Sequence, residues 1–174
     1  MKTAIWMFAA GAALWSIGAT AQQAQHMSHD HMSMRMDDSA DARRLLDFPP
    51  PMRAHMLANM RGHLEAVSEI VAALAQSDGA RAGEIAAARL GMDSPGAAGC
   101  NPKSPHATEG MGAMMAQHMP PDMRALGLSM HEAASAFATE ATKLKKGGDP
   151  QPALAALAHV TEACAACHSA FRVR

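Results

Sequence analysis

Apolar residues recur at spacings of three and four along most of this chain, and nowhere do they alternate as they would on a strand. Phe48-Pro49-Pro50-Pro51 stops any helix before it and suits the first turn of one after it. From there Met52, Met56, Met60, Leu64, Val67, Val71 and Leu74 make an apolar stripe. That stripe predicts a helix running through Gln76 and ended by Gly79. A shorter helix fits residues 80–90, with Ile85 and Leu90 inward and Gly91 as its stop. Residues 92–119 are rich in Gly, Pro and Met and show little periodicity, and a connection this long implies packing against something or a function of its own. Pro120-Pro121-Asp122 opens a third helix with the stripe Met123, Leu126, Met130, Ala134, Phe137, Ala141 and Leu144. Lys143, Lys145 and Lys146 suit its negative end, and Gly147-Gly148 closes it. Asp149 as N-cap and Pro150 at the first position start a fourth helix. On it Leu154, Leu157, Thr161, Cys164, His168 and Phe171 share one face. The pattern predicts an all-α fold, an up-down-up-down four-helix bundle over residues 49–174.

The chain ahead of the bundle reads differently. Lys2, the apolar run over residues 4–17 and Ala19-Thr20-Ala21 have the order of a signal peptide. Cleavage is expected before Gln22, and the run is too short and poorly flanked for a membrane span. Residues 22–48 are then expected to be a disordered leader. Within it, three histidines and four methionines fall in eleven residues, from His26 to Met36. His26, His29 and His31 offer imidazoles that suit Cu(II), and Met27, Met32, Met34 and Met36 offer thioethers that suit Cu(I). The alternative is a solvated tail of incidental composition.

Removing the signal changes the composition. Trp6, Trp15 and Phe8 leave with it, so the mature chain has no Trp or Tyr and only Phe48, Phe137 and Phe171. Of 15 basic and 16 acidic residues only Lys2 is lost, which leaves a formal charge of −2. That balance gives no footprint for nucleic acid. A core so poor in aromatics fits one whose centre is filled by a large flat cofactor.

The candidate chemistry lies near the C-terminal end, in Cys164-Ala165-Ala166-Cys167-His168. C-x-x-C-H is the attachment signature of a c-type haem. Two thiols add across the haem vinyl groups, and the imidazole takes an axial position on the iron. On a helix Cys164 and His168 are i and i+4 and share a face, with Cys167 beside them. Two other chemistries use C-x-x-C. A thioredoxin-like pair belongs near a βαβ pattern, and a closed zinc site needs four ligands; the sequence shows neither a βαβ pattern nor a second pair. Nothing has the arrangement of a nucleophile with its base, so no enzymatic turnover is expected.

With these residues in view, the chain from Pro49 onward resembles the cytochrome c′ family, four-helix bundles with C-x-x-C-H near the end of the last helix. The most specific stretch is Cys164-Ala165-Ala166-Cys167-His168-Ser169-Ala170-Phe171-Arg172, where an aromatic and an arginine follow the motif. The resemblance implies one covalent haem c on Cys164 and Cys167, His168 as proximal iron ligand, and Arg172 near the haem edge. It also implies that Arg53 points to Leu57 as the distal residue. Some members leave the distal position to a side chain that does not ligate, and others put a methionine sulfur there. Met60, ahead of Met56, is the expected ligand in the second case. Several members pair through their first helices, which puts a homodimer among the expected assemblies.

The expectation is thus a periplasmic c-type cytochrome that carries electrons to and from redox partner proteins by cycling its iron. Two alternatives stand beside it. One is a five-coordinate haem protein that binds nitric oxide or carbon monoxide. The other is a copper-handling protein that works through the His/Met-rich leader.

Overall fold

A computed structural model of the protein describes residues 41–174 apart from Pro105 and Glu109. The segment expected to be a signal peptide and the leader histidines His26, His29 and His31 lie outside the described residues. The described chain is mostly helical. In order come β1 (Arg44–Leu46), α1 (Pro50–Ala75), α2 (Gly79–Arg89), a 3₁₀ turn (Pro95–Gly99), α3 (Gly110–His118), α4 (Pro121–Ala141), α5 (Gln151–Ala170) and β2 (Phe171–Val173). No described helix is long and apolar enough to cross a membrane.

The proline starts behave as expected. α1 has Pro50 and Pro51 in its first turn, and the Arg53 N–H closes that turn on Pro49 O at 3.0 Å. α4 repeats the device with Pro121, and the Arg124 N–H bonds Pro120 O. At the start of α5 the Asp149 carboxylate accepts the Gln151 N–H at 2.9 Å. Gly79, however, does not end α1. The left-handed residue in the turn is Ser77, with φ 56°, and Asp78 caps α2 by accepting the Arg81 N–H. Gly79 is needed for a different reason: a Cβ there would collide with the Ala141 carbonyl and the Leu144 side chain.

α1 differs from its expected stripe in a way that matters for the site. Its buried residues are Met52, Met56, Ala66, Ile70, Ala73 and Leu74, whereas Leu64 is 71% and Val71 50% exposed. After Met60 the inward face runs through His63, Ala66 and Ile70, with Val67 half-buried at its edge, rather than through Leu64 and Val71. Both sets have helical spacing. The small Ala66 and Ala73 let α2 approach through Ala82 and Ala86, which larger side chains would prevent. Arg89 fixes the approach by pairing with Glu69 at 2.5 Å and Glu65 at 3.3 Å.

The core has two halves. One is aliphatic and alanine-rich, built by α1, α2, α4 and α5 around Ile70, Leu90, Phe137, Leu157 and Val160. The other is built from Met52, Met56, Met115, Met119 and Met123 with Leu46, Phe48 and Phe171. The folded region therefore reaches back before Pro49, into residues assigned from sequence to the leader. β1 pairs in parallel with β2, Arg44 opposite Phe171 and Leu46 opposite Val173, and buries Leu46. Three-residue strands are too short to show alternation, which is why no strand was expected. Residues 92–119 also pack closely: the Met92 N–H bonds Ser135 Oγ at 2.9 Å and Asn101 Nδ2 donates to Met92 O at 3.0 Å.

Candidate functional site

The methionine half of the core encloses a cavity of about 420 Å³. That lies within the range of cofactor pockets, about 300–1,000 Å³. α5 brings Cys167 and His168 to its wall, and β2 adds Phe171, Arg172 and Val173. The helix stops directly after the motif. Phe171 is extended (φ −129°, ψ 151°), its N–H bonds Cys167 O, and its ring is buried. Cys164 is half-buried one turn earlier and packs against the aliphatic core instead of lining the cavity.

The rest of the wall is largely apolar. α1 contributes Met56, Met60 and the histidines His55 and His63; α3 and α4 contribute Met115, Met119, Met123 and Met130. Glycines stand where side chains would intrude, so that a Cβ on Gly99 would meet Met119 and one on Gly127 would meet Cys100 Sγ. Such a wall accepts a broad hydrocarbon surface. Leu57, the expected distal residue, lines the cavity but is 39% exposed. Met60 lines it and packs against the methionine cluster.

Charge gathers at one side. Arg43 and Arg172 both line the cavity, and Asp41 lies between them. Arg43 holds Asp41 at 2.6 Å and donates to His168 O at 3.4 Å, while Arg172 Nε lies 3.5 Å from the same carboxylate. The hydrogen bond from Arg43 is the main reason the Asp41 carboxyl is held down to about 2. Two guanidiniums flank one carboxylate here, and guanidiniums suit carboxylates carried by a ligand. Arg44 reaches away to Asp122 and stacks over the Phe171 ring at 4.9 Å, which secures the strand pair beside the motif.

Four histidines line the cavity, and they differ in what they touch. His168 is exposed on the last turn of α5. His55 Nε2 is bonded to Asn59 Nδ2 at 3.2 Å. His131, 1% exposed, has Nδ1 2.7 Å from Leu90 O; a carbonyl only accepts, so Nδ1 carries the proton. Burial lowers its affinity for a second proton. His63 stands edge-to-face against His131, ring centres 5.8 Å apart, and its Nε2 is buried without a partner. Burial, then the His131 and His168 charges, bring it down to about 4.

The surroundings of the motif bear on the chemistries of C-x-x-C. The motif lies at the C-terminal end of a helix, where no dipole lowers a thiol, and burial raises both Cys164 and Cys167 above their ordinary value. Thiols held protonated in this way are poor redox nucleophiles. Among the described residues no three His, Cys, Asp or Glu side chains converge as a metal-binding group of the kind a closed zinc site uses. Cys100, a lone cysteine in the sequence, is also in the wall; burial, with Cys167 nearby, pushes its thiol up to about 11.

The cavity fits a haem on several counts: an apolar wall cleared by glycines, Cys167 and His168 on it, and arginines at one side for the two propionates. Sequence reasoning missed His63, which lies off the apolar stripe drawn on α1; the Ala66–Ile70–Ala73 spacing was the available signal. Comparison with protein-family models, with curated proteins and with solved structures returned no match.

Proposed function

We propose that this chain is a periplasmic c-type cytochrome that carries electrons. Cys164 and Cys167 would each add S–H across one haem vinyl group, sulfur to one carbon and hydrogen to the other, so attachment needs no oxidant. His168 would be the proximal ligand, and the thioether bonds at Cys164, one turn earlier, and at the adjacent Cys167 would hold its imidazole to the metal. The haem supplies one-electron chemistry at iron, with a potential set by its axial ligands and its burial. The chain's own residues bind and shield it. Met56, Met115, Met119 and Met123 exclude water from one part of the cavity, and Arg43 and Arg172 would meet the propionates. The four longer helices, with α3 as an insertion, are arranged up-down-up-down in this reading.

The observation that carries the proposal is the apolar cavity with Cys167 and His168 on its wall. The motif alone fixes three residue types; an apolar cavity beside them supports the reading. The test is the pyridine haemochrome spectrum of the purified protein after extraction with acidified acetone. One haem per chain should stay with the protein and show both vinyl groups saturated. Haem that passes into the acetone would defeat the proposal.

A further inference from the structure

We propose that His63 supplies the second axial nitrogen to the haem iron, across the cavity from His168. This rests on the haem reading above and adds the residue at the sixth position. It departs from a methionine sulfur and from an open site.

The cavity wall itself singles out His63. His55 is bonded to Asn59 and His131 to the Leu90 carbonyl, so each has a structural partner. His63 Nε2 has none. Only one other buried side-chain polar atom among the described residues is in this condition, Ser94 Oγ, and Ser94 does not line the cavity. A buried nitrogen without a partner is a standing cost in a fold and calls for an explanation. A metal entering the cavity is one the surroundings allow.

Position on α1 agrees. Each residue advances about 100° around a helix, so His63, seven residues after the buried Met56, returns to within about 20° of it. Leu57 is displaced by about 100° toward solvent, as its exposure shows. α1 packs mainly on α2, and α5 mainly on α4; His63 and His168 reach the cavity from these two different helices.

The methionines have no comparable need. A thioether is only a weak acceptor and is buried without penalty, and Met56 and Met60 are packed into the methionine cluster. Gly96 completes the arrangement. It backs the His63 ring so closely that an added Cβ would lie 3.0 Å from Nε2, so any side chain at 96 would crowd the imidazole. Two imidazoles on one iron leave no vacant position for a gas, which favours electron transfer.

The test uses the full-length, haem-bearing protein. Ferric near-infrared magnetic circular dichroism and electron paramagnetic resonance read the axial pair directly, and covalent haem content is measured on the same samples. The expected wild type is low-spin with two imidazoles. His63→Ala should become high-spin, and imidazole added to the buffer should restore the low-spin signal. His63→Met should replace the two-imidazole band with a thioether band, a second variant should the alanine protein not accumulate. Met60→Ala should retain the two-imidazole band. The inference is overturned by a high-spin wild type, by a two-imidazole band that survives in either His63 variant, or by a thioether band that Met60→Ala removes. Absence of covalent haem would instead defeat the underlying haem reading, and it is seen in haem content before any spin state is read.

Discussion

Ile70→Ala and Leu64→Ala separate the two possible registers of α1. The sequence stripe would bury Leu64 and Val71, whereas the structure buries Ile70, at 0% exposed, and leaves Leu64 71% exposed. Replacing a buried isoleucine by alanine costs about 2–5 kcal/mol, more where the site cannot close around the void. The neighbours of Ile70 include Ala66, Ala73, Ala82 and Ala86, side chains too short to fill the gap. The expected loss is therefore about 3–4 kcal/mol. For a folded region of this size that lowers Tm by about 10–15 °C. Leu64→Ala removes mostly solvated surface and adds a good helix former, so its effect should stay within about 0.5 kcal/mol. Far-UV circular dichroism through thermal unfolding of both variants, at matched haem content, gives the comparison. Equal losses, or a larger one at Leu64, would refute the register. They would also remove His63 from the inward face.

The other predictions concern the third thiol, the pH range and the leader. In native protein at pH 8, Cys100 should resist alkylation, and after denaturation one thiol per chain should react, since Cys164 and Cys167 are consumed. Three reactive thiols would contradict haem attachment. Because burial raises Cys100 from 9.0 to about 11, the unfolded chain loses its proton first as pH rises. Stability should therefore fall between about pH 9 and 11, and Cys100→Ala should flatten that slope in urea titrations. For the leader, a chain lacking residues 22–38 should keep its haem while losing copper binding by His26, His29 and His31 in calorimetric titration. Unchanged copper affinity would make that segment a plain solvated tail.

What was legible in the sequence follows the strength of local signals. Prolines and apolar stripes gave the starts of α1, α4 and α5 to within about a residue, but α4 ends at Ala141 rather than at Gly147, and α5 buries Ala153, Leu157 and Val160 while Leu154 of its expected face is exposed. The motif, read with the spacing of the last helix, pointed to Cys167 and His168 before any cavity was known. Three things were not legible. β1 and β2 are held by pairing between distant parts of the chain, and no three-residue segment carries that information. α3 lies among glycines and methionines whose order comes from packing on the 3₁₀ turn. The face of α1 was ambiguous because leucine and valine outrank alanine in hydrophobicity. Close helix packing selects the small side chains instead, and it carries His63 inward with them.

The central claim is the covalent haem, and intact-mass spectrometry of the denatured full-length protein tests it most directly. The account predicts a mass equal to the chain, shortened by signal cleavage, plus one haem, with that addition resisting acid and organic solvent. Cys164→Ala should retain at most a single thioether, and Cys164→Ala with Cys167→Ala should carry none. A wild-type mass of the polypeptide alone, from cells competent in c-type haem attachment, would contradict it.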